Sequence, residues 1–272
     1  MVSLGRGKAP GPDGYSLEFF IKFWMEMKDT YCSALREFQE QGSLPNSWGQ
    51  TNLVFIPKKD HPTRIKEYRP IALCNVAYKI FAKVLVNRLK PHIKQIISRE
   101  QGAFVEKRRL QYNIIIISKN VNIVRKSNRK HPYFIVKLDL EKAYDGISWN
   151  ALEEIWKMMN VPWRFRTWLL ACLKSTNYSY VIDGLHSEWF KSFKGVRQGD
   201  PLSPYMFIMM QELLTMLMNK EASKVVLLNS VVNSMPIHTL TTTWISDWVI
   251  EEHKKVWRNF LWRTNEKKYG FT

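Results

Sequence analysis

The chain has 272 residues, is 45% hydrophobic and carries a formal net charge of +17; that length and apolar content support one large or two small packed domains and exclude wholesale disorder. The charge favours a polyanionic partner, nucleic acid ahead of an anionic membrane surface. Cys32, Cys74 and Cys172 show no CxxC or Cys/His spacing, which excludes a disulfide framework or zinc site and suits a reducing compartment.

In chain order, residues 5–15 form a Gly/Pro turn region without a Walker loop. Leu17 to Phe38 has Phe20, Trp24, Met27, Tyr31, Ala34, Leu35 and Phe38 at helical spacing, which predicts one helix stopped by Gly42. Thr51 to Ile56 is a short strand closed by Pro57. Asn75 to Leu89 is amphipathic, and Pro91 is expected to end that helix. Ile114 to Val124 admits two readings: four consecutive isoleucines suggest a strand, whereas Ile114, Ile117, Val121 and Val124 keep helical spacing and favour a helix.

Tyr133 to Leu138 reads as a buried strand. Ser148 can cap a helix carrying Trp149, Leu152, Ile155, Trp156 and Met159, and a second helix runs from Trp163 to Leu173. Tyr178–Ile182 and Trp189–Phe193 bracket Asp183-Gly184 as a hairpin. Ser203-Pro204 predicts a cap and first turn for a helix reaching about Asn219. Beyond Lys220, Val225–Val232 is apolar, Pro236 interrupts, and Asp247 can cap a basic amphipathic helix to Trp262. No apolar run reaches membrane-spanning length and the first ten residues lack a signal-peptide core. The expectation is a soluble intracellular protein, nuclear or cytoplasmic, with no membrane partner.

Two peptides carry the chemistry. Lys137-Leu138-Asp139-Leu140-Glu141-Lys142-Ala143-Tyr144-Asp145 ends an apolar run, placing Asp139 where a strand leaves the core. Nucleotidyl transfer needs two divalent ions held by carboxylates about 4 Å apart, and a strand end is a natural place for one of them. Alone, the peptide reads equally well as a strand followed by solvated acids. Gly195-Val196-Arg197-Gln198-Gly199-Asp200-Pro201-Leu202-Ser203-Pro204 is more specific: its glycines permit a tight loop, and Gln198 offers an amide to a nucleic-acid strand. Met206 to Met210 then read as core.

Together these peptides resemble the first two palm motifs of a reverse transcriptase of the kind found in plant non-LTR (LINE-type) retrotransposons. Phe55-Ile56-Pro57-Lys58-Lys59, Tyr68-Arg69-Pro70-Ile71-Ala72-Leu73, Ala9-Pro10-Gly11-Pro12-Asp13-Gly14 and Gln101-Gly102-Ala103-Phe104-Val105 match the family's order. The resemblance implies an α+β right-hand polymerase, with a fingers-like region at 1–130 and a partial palm at 131–219. It implies Asp139 as the catalytic, metal-binding carboxylate for Mg²⁺ or Mn²⁺. Arg69, with Lys58 or Lys59, would grip the nucleotide triphosphate, Tyr144 would contact the incoming sugar, and Gln198 the template. The family's partners are an RNA template, a DNA primer and deoxynucleoside triphosphates.

Departures are visible. No Asp-Asp dipeptide occurs in the chain, so the third palm motif, its hairpin and most of the thumb are missing. Asp183, Asp200 and Asp247 are the acids that would have to substitute, none in an Asp-Asp context. Similarity resumes around Leu228–Trp262, so an internal deletion joined near Lys220–Lys224 is expected, with 220–272 a short helical segment. Such a deletion would leave unpaired strand edges and marginal stability unless Val225–Val232 fills the gap. Glu106-Lys107-Arg108 replaces a usual Pro-Gly-Arg, and Tyr112 an acid, which puts template contacts near Arg108 in question. Two other readings compete: a non-catalytic basic RNA- or DNA-binding module, and a partner- or lipid-binding helix over Trp248–Trp262.

Overall fold

The computed structural model describes residues 4–126 and 142–221. The helix expected over Leu17–Phe38 is two: α1 (Leu17–Lys22) and α2 (Trp24–Gln41), broken at Phe23 with φ −102° and ψ 20°. The bend has a packing reason. It lets Leu17 and Phe20 from α1 and Tyr31 from α2 share one patch with Val76, Ala77 and Ile80 of α4 (Val76–Ile96). The stop is as expected: Gly42 adopts φ 70° and its N–H returns to the Phe38 carbonyl.

A short α3 (Asn46–Gly49) leads into β1 (Gln50–Pro57), and a 3₁₀ turn (Ile65–Glu67) precedes β2 (Tyr68–Cys74). Pro91 does not end α4, which continues to Ile96. Burial of Leu89 and Ile93 on either side of the proline holds the last turns in place. Arg108 completes the end, donating to the carbonyls of Lys94, Ile97, Ser98 and Gln101. Helical spacing prevails over the isoleucine run in α5 (Leu110–Lys126). Ser148 caps α6 (Trp149–Met158) by accepting the Ala151 N–H at 3.4 Å, and α7 (Trp163–Lys174) follows Pro162.

β3 (Asn177–Ile182) and β4 (Leu185–His186) form the hairpin at Asp183-Gly184, both with positive φ (50° and 79°) as a type I′ turn requires. β5 (Phe190–Lys191) pairs with the start of β3. The resulting five-stranded sheet runs β2-β1-β3-β4, antiparallel except where β1 and β3 pair parallel. Helix α8 (Ser203–Glu221) begins at Ser203 itself. The expected Ser203 cap is therefore corrected: Ser203 is the first helical residue, and the Asp200 carboxylate closes the turn just before it by receiving the Leu202 N–H at 2.8 Å.

The main core packs α4, α6, α7 and α8 together, with Tyr78, Leu85, Leu152, Trp156, Leu169, Leu202 and Met209 all but fully buried. This is a mixed α+β fold with helices against one part of a sheet. The expected strand at Tyr133–Leu138, the metal ligand Asp139 and the features expected beyond residue 221 lie outside the described residues.

Candidate functional site

The turn at residues 142–149 is docked onto the start of the glycine loop. Val196 donates to the Tyr144 carbonyl at 2.9 Å, Gly195 to the Ile147 carbonyl at 2.7 Å, and the Trp149 indole to the Gly195 carbonyl at 2.8 Å. Gly195 is required here. Its φ is 85°, and a Cβ would lie 3.0 Å from the Asp145 carbonyl oxygen and 3.2 Å from the Asp145 Cα. Two peptides separated in sequence thus form one unit, bringing Tyr144 beside the loop that carries Gln198. The Tyr144 ring, half-buried, lies 5.1 Å from Phe207 of α8, and burial raises its phenol above the ordinary value.

The loop's far end is fixed to β2. Gln198 accepts the Ala72 N–H at 2.9 Å through its backbone carbonyl while its side chain stays exposed. Gly199, at φ 116°, passes so close that a Cβ would sit 2.8 Å from the Ala72 carbonyl oxygen.

Between these glycines lies a group that sequence reasoning passed over. Arg197 is buried, donating to the Cys172 carbonyl at 2.6 Å and to Thr51 Oγ1 at 3.3 Å. Its guanidinium covers the Tyr78 ring at 4.0 Å and its Nε faces Asp200 at 3.5 Å. The Tyr78 hydroxyl donates to the same Asp200 carboxylate at 2.5 Å. Burial opposes the Arg197 charge, but Tyr78, Cys74 and Asp200 outweigh it and leave the guanidinium more basic than usual. Burial pushes the Tyr78 phenol well above its ordinary range. One cation therefore ties β1, β2, α4, α7 and the loop together. The available signal was an Arg and an Asp three residues apart in a loop leading into an apolar helix.

Lys58 and Arg69 stand on the β1–β2 hairpin. Ile56 is registered opposite Arg69, and the Lys58 N–H donates to the Glu67 carbonyl, which extends the pairing by two residues. The two residues are thus diagonal neighbours on one face, their backbone positions about 7–8 Å apart in a regular pair. Both are exposed. Lys58 Nζ donates to the Lys66 carbonyl, and Lys59 is ion-paired to Glu67 at 2.6 Å. Register alone brings Lys58 and Arg69 together, and the Gln198 carbonyl meets the same strand three residues beyond Arg69. Arg108 has another job: its guanidinium is engaged with four carbonyls around the end of α4. Buried Glu212 of α8 holds the same turn through the Ser98 N–H and hydroxyl at 2.9 and 2.7 Å.

The described acids do not fit a two-ion site. Both oxygens of Asp200 are engaged, Asp183 occupies the hairpin tip, and Asp145 is a single exposed carboxylate. Among the described residues, no group of three or more His, Cys, Asp or Glu side chains is placed to hold a metal ion. Among them, too, no helix is long and apolar enough to cross a membrane.

Residues 56–231 match the family described as reverse transcriptase (RNA-dependent DNA polymerase). The chain belongs to that family. It is 29% identical over 224 residues to the transposon TX1 uncharacterized 149 kDa protein of Xenopus laevis, covering 82% of this chain and 17% of that protein. It is 30% identical over 187 residues to the retrovirus-related Pol polyprotein of type-2 retrotransposable element R2DM from Drosophila melanogaster, covering 68% of this chain and 17% of the other. A type-1 R2 Pol polyprotein of Nasonia vitripennis is 24% identical over 206 residues, covering 76% and 19%. This reverse transcriptase domain thus has non-LTR retrotransposon homologues, and the chain spans under a fifth of the length of each of these three.

Proposed function

We propose that the chain is the fingers (residues 1–130) and partial palm (131–219) of a plant LINE-type reverse transcriptase, internally deleted near Lys220–Lys224. In this reading residues 220–272 are carried over from beyond the deletion. The chain keeps binding of RNA template and DNA primer but does not polymerise. Arg69 and Lys58 face the triphosphate, Tyr144 the incoming sugar and Gln198 the template.

The observation that carries the loss of activity is the absence of any Asp-Asp dipeptide in the 272 residues. Asp139 is then the one family carboxylate left for Mg²⁺ or Mn²⁺, and the engagement of Asp200 with Tyr78 and Arg197 argues against its recruitment. Phosphoryl transfer depends on positioned charge, so an under-coordinated ion pair forfeits most of the rate. The +17 charge and the exposed Lys58 and Arg69 support retained binding.

The test is primer extension by the purified full chain on a primed RNA template with Mg²⁺ or Mn²⁺, beside Asp139→Ala. The expected result is no extension, together with RNA binding that weakens steeply as salt rises. Extension that Asp139→Ala abolishes would overturn the proposal. Binding without extension makes the basic RNA-binding module the chain's remaining function.

A further inference from the structure

The sheet carries a row of aromatic rings that neither core claims. Thr51↔Cys74, Leu53↔Ala72 and Phe55↔Pro70 across β1–β2, Leu53↔Tyr180 across β1–β3, and Tyr178↔Phe190 across β3–β5 put Tyr68, Phe55, Tyr180 and Phe190 on one face. Phe55 and Tyr180 stack at 5.7 Å with an interplanar angle of 16°, and Tyr180 and Phe190 at 4.8 Å with 28°. Tyr68 meets Phe55 edge-on at 6.4 Å. At one end of this face, Thr51 and Cys74 are sealed beneath Arg197. The row begins where that seal ends.

None of the four rings is buried, and none packs against either core cluster of described residues. Tyr180, at the centre, keeps 37% of its surface, and Trp189 and Phe193, on either side of Phe190 in sequence, are 42% and 85% exposed. Exposed cations stand near both ends of the row in sequence, Lys66 before Tyr68 and Lys194 after Phe190; Arg69 and Lys191, each adjacent to a row residue in its strand, belong to the opposite face. Stacked, incompletely buried rings on a chain of net charge +17 complement a strand that offers flat bases and phosphates together. A duplex hides its base faces and would leave the rings unused.

We propose that Tyr68, Phe55, Tyr180 and Phe190 form a stacking platform for the bases of a single-stranded nucleic acid, its phosphates meeting Lys66 and Lys194 near the two ends of the row. The platform rests on the nucleic-acid-binding reading above and deepens it. It requires no metal and no polymerisation.

The experiment measures binding of a short single-stranded RNA to the full chain, beside a same-length oligomer with abasic positions and the matching duplex. Tyr180→Val and Phe190→Leu should weaken binding of the base-bearing strand by about 5- to 100-fold each. They should leave binding of the abasic oligomer and the salt slope unchanged. Tyr180→Trp should retain wild-type binding, which separates a lost ring from a damaged sheet. Equal weakening of both oligomers, or no weakening, would overturn the platform. A self-associated chain that Tyr180→Val renders monomeric would overturn it as well, since the row would then be covered by a second copy. If the wild-type chain binds no single strand even at low salt, the nucleic-acid reading falls too. If it binds with a steep salt slope but ignores bases, only the platform falls.

Discussion

The loop at residues 195–204 and the tip of the β1–β2 hairpin are built on opposite terms. Both present an arginine inside a peptide that marks the family. In the loop, Arg197 is 4% exposed and engaged by Thr51, Cys172, Tyr78 and Asp200. At the hairpin, Arg69 is exposed, and Lys58 reaches only a backbone carbonyl. The loop's strongest cation therefore fixes where Gln198 sits, while the hairpin's cations remain at the surface. A motif's most distinctive residue need not be the one that meets the ligand.

The sharpest way to break this comparison is to remove each arginine in turn. Arg197→Met leaves Asp200 buried without its cation and should destabilise the chain by about 3–5 kcal/mol, read from urea unfolding. Arg69→Met, at the surface, should stay within about 0.5 kcal/mol. A hairpin variant as damaging as the loop variant would show that Arg69 is structural after all. Backbone contacts provide a second, smaller contrast. Gly199→Ala drives a Cβ to 2.8 Å from the Ala72 carbonyl oxygen at φ 116°, whereas a Cβ on Gly184, at φ 79° on the β3–β4 turn, meets nothing within 4 Å. Forcing a side chain into that loop geometry should cost about 1–3 kcal/mol or more. Gly184→Ala should cost less, about 1 kcal/mol from its positive φ alone. Equal losses would mean that the crowding against β2 is not felt.

What the chain disclosed about itself follows the range of the forces involved. Gly42 as a stop, Ser148 as a cap and Asp183-Gly184 as a hairpin turn were legible because each acts on backbone within a few residues. The break at Phe23 and the passage of α4 through Pro91 were not, since both are decided by partners distant in sequence: α4 for the first, the Arg108 clasp for the second. The Tyr78–Asp200 bond spans 122 residues and the Arg197–Thr51 bond 146, so no local pattern could reveal them. Ser203 read as a cap because its neighbour Pro204 suits a first turn, yet the helix already includes Ser203, and Asp200 closes the turn that leads into it. The motifs announced the family. They did not separate the residues that build the loop from those it presents, because burial is invisible in a peptide.

The contrast between sealed loop and open hairpin can also be read by titration. Burial raises the Tyr78 and Tyr178 phenols above the ordinary value of about 10, with Arg197 opposing the rise in both. A phenol whose folded pKa is raised holds its proton after the unfolded chain has released one. Its contribution to stability is thus complete below about pH 10 and is lost as pH rises from there toward the folded value. Each such phenol adds a slope of up to about 1.4 kcal/mol per pH unit in that window. Urea melts from pH 8 upward should therefore show stability falling beyond about pH 10, and Tyr178→Phe should flatten the fall. A Tyr178→Phe chain whose stability falls as steeply as the wild type's would mean that the Tyr178 ring is not in dry surroundings, and the sealing around Arg197 would then end short of β3.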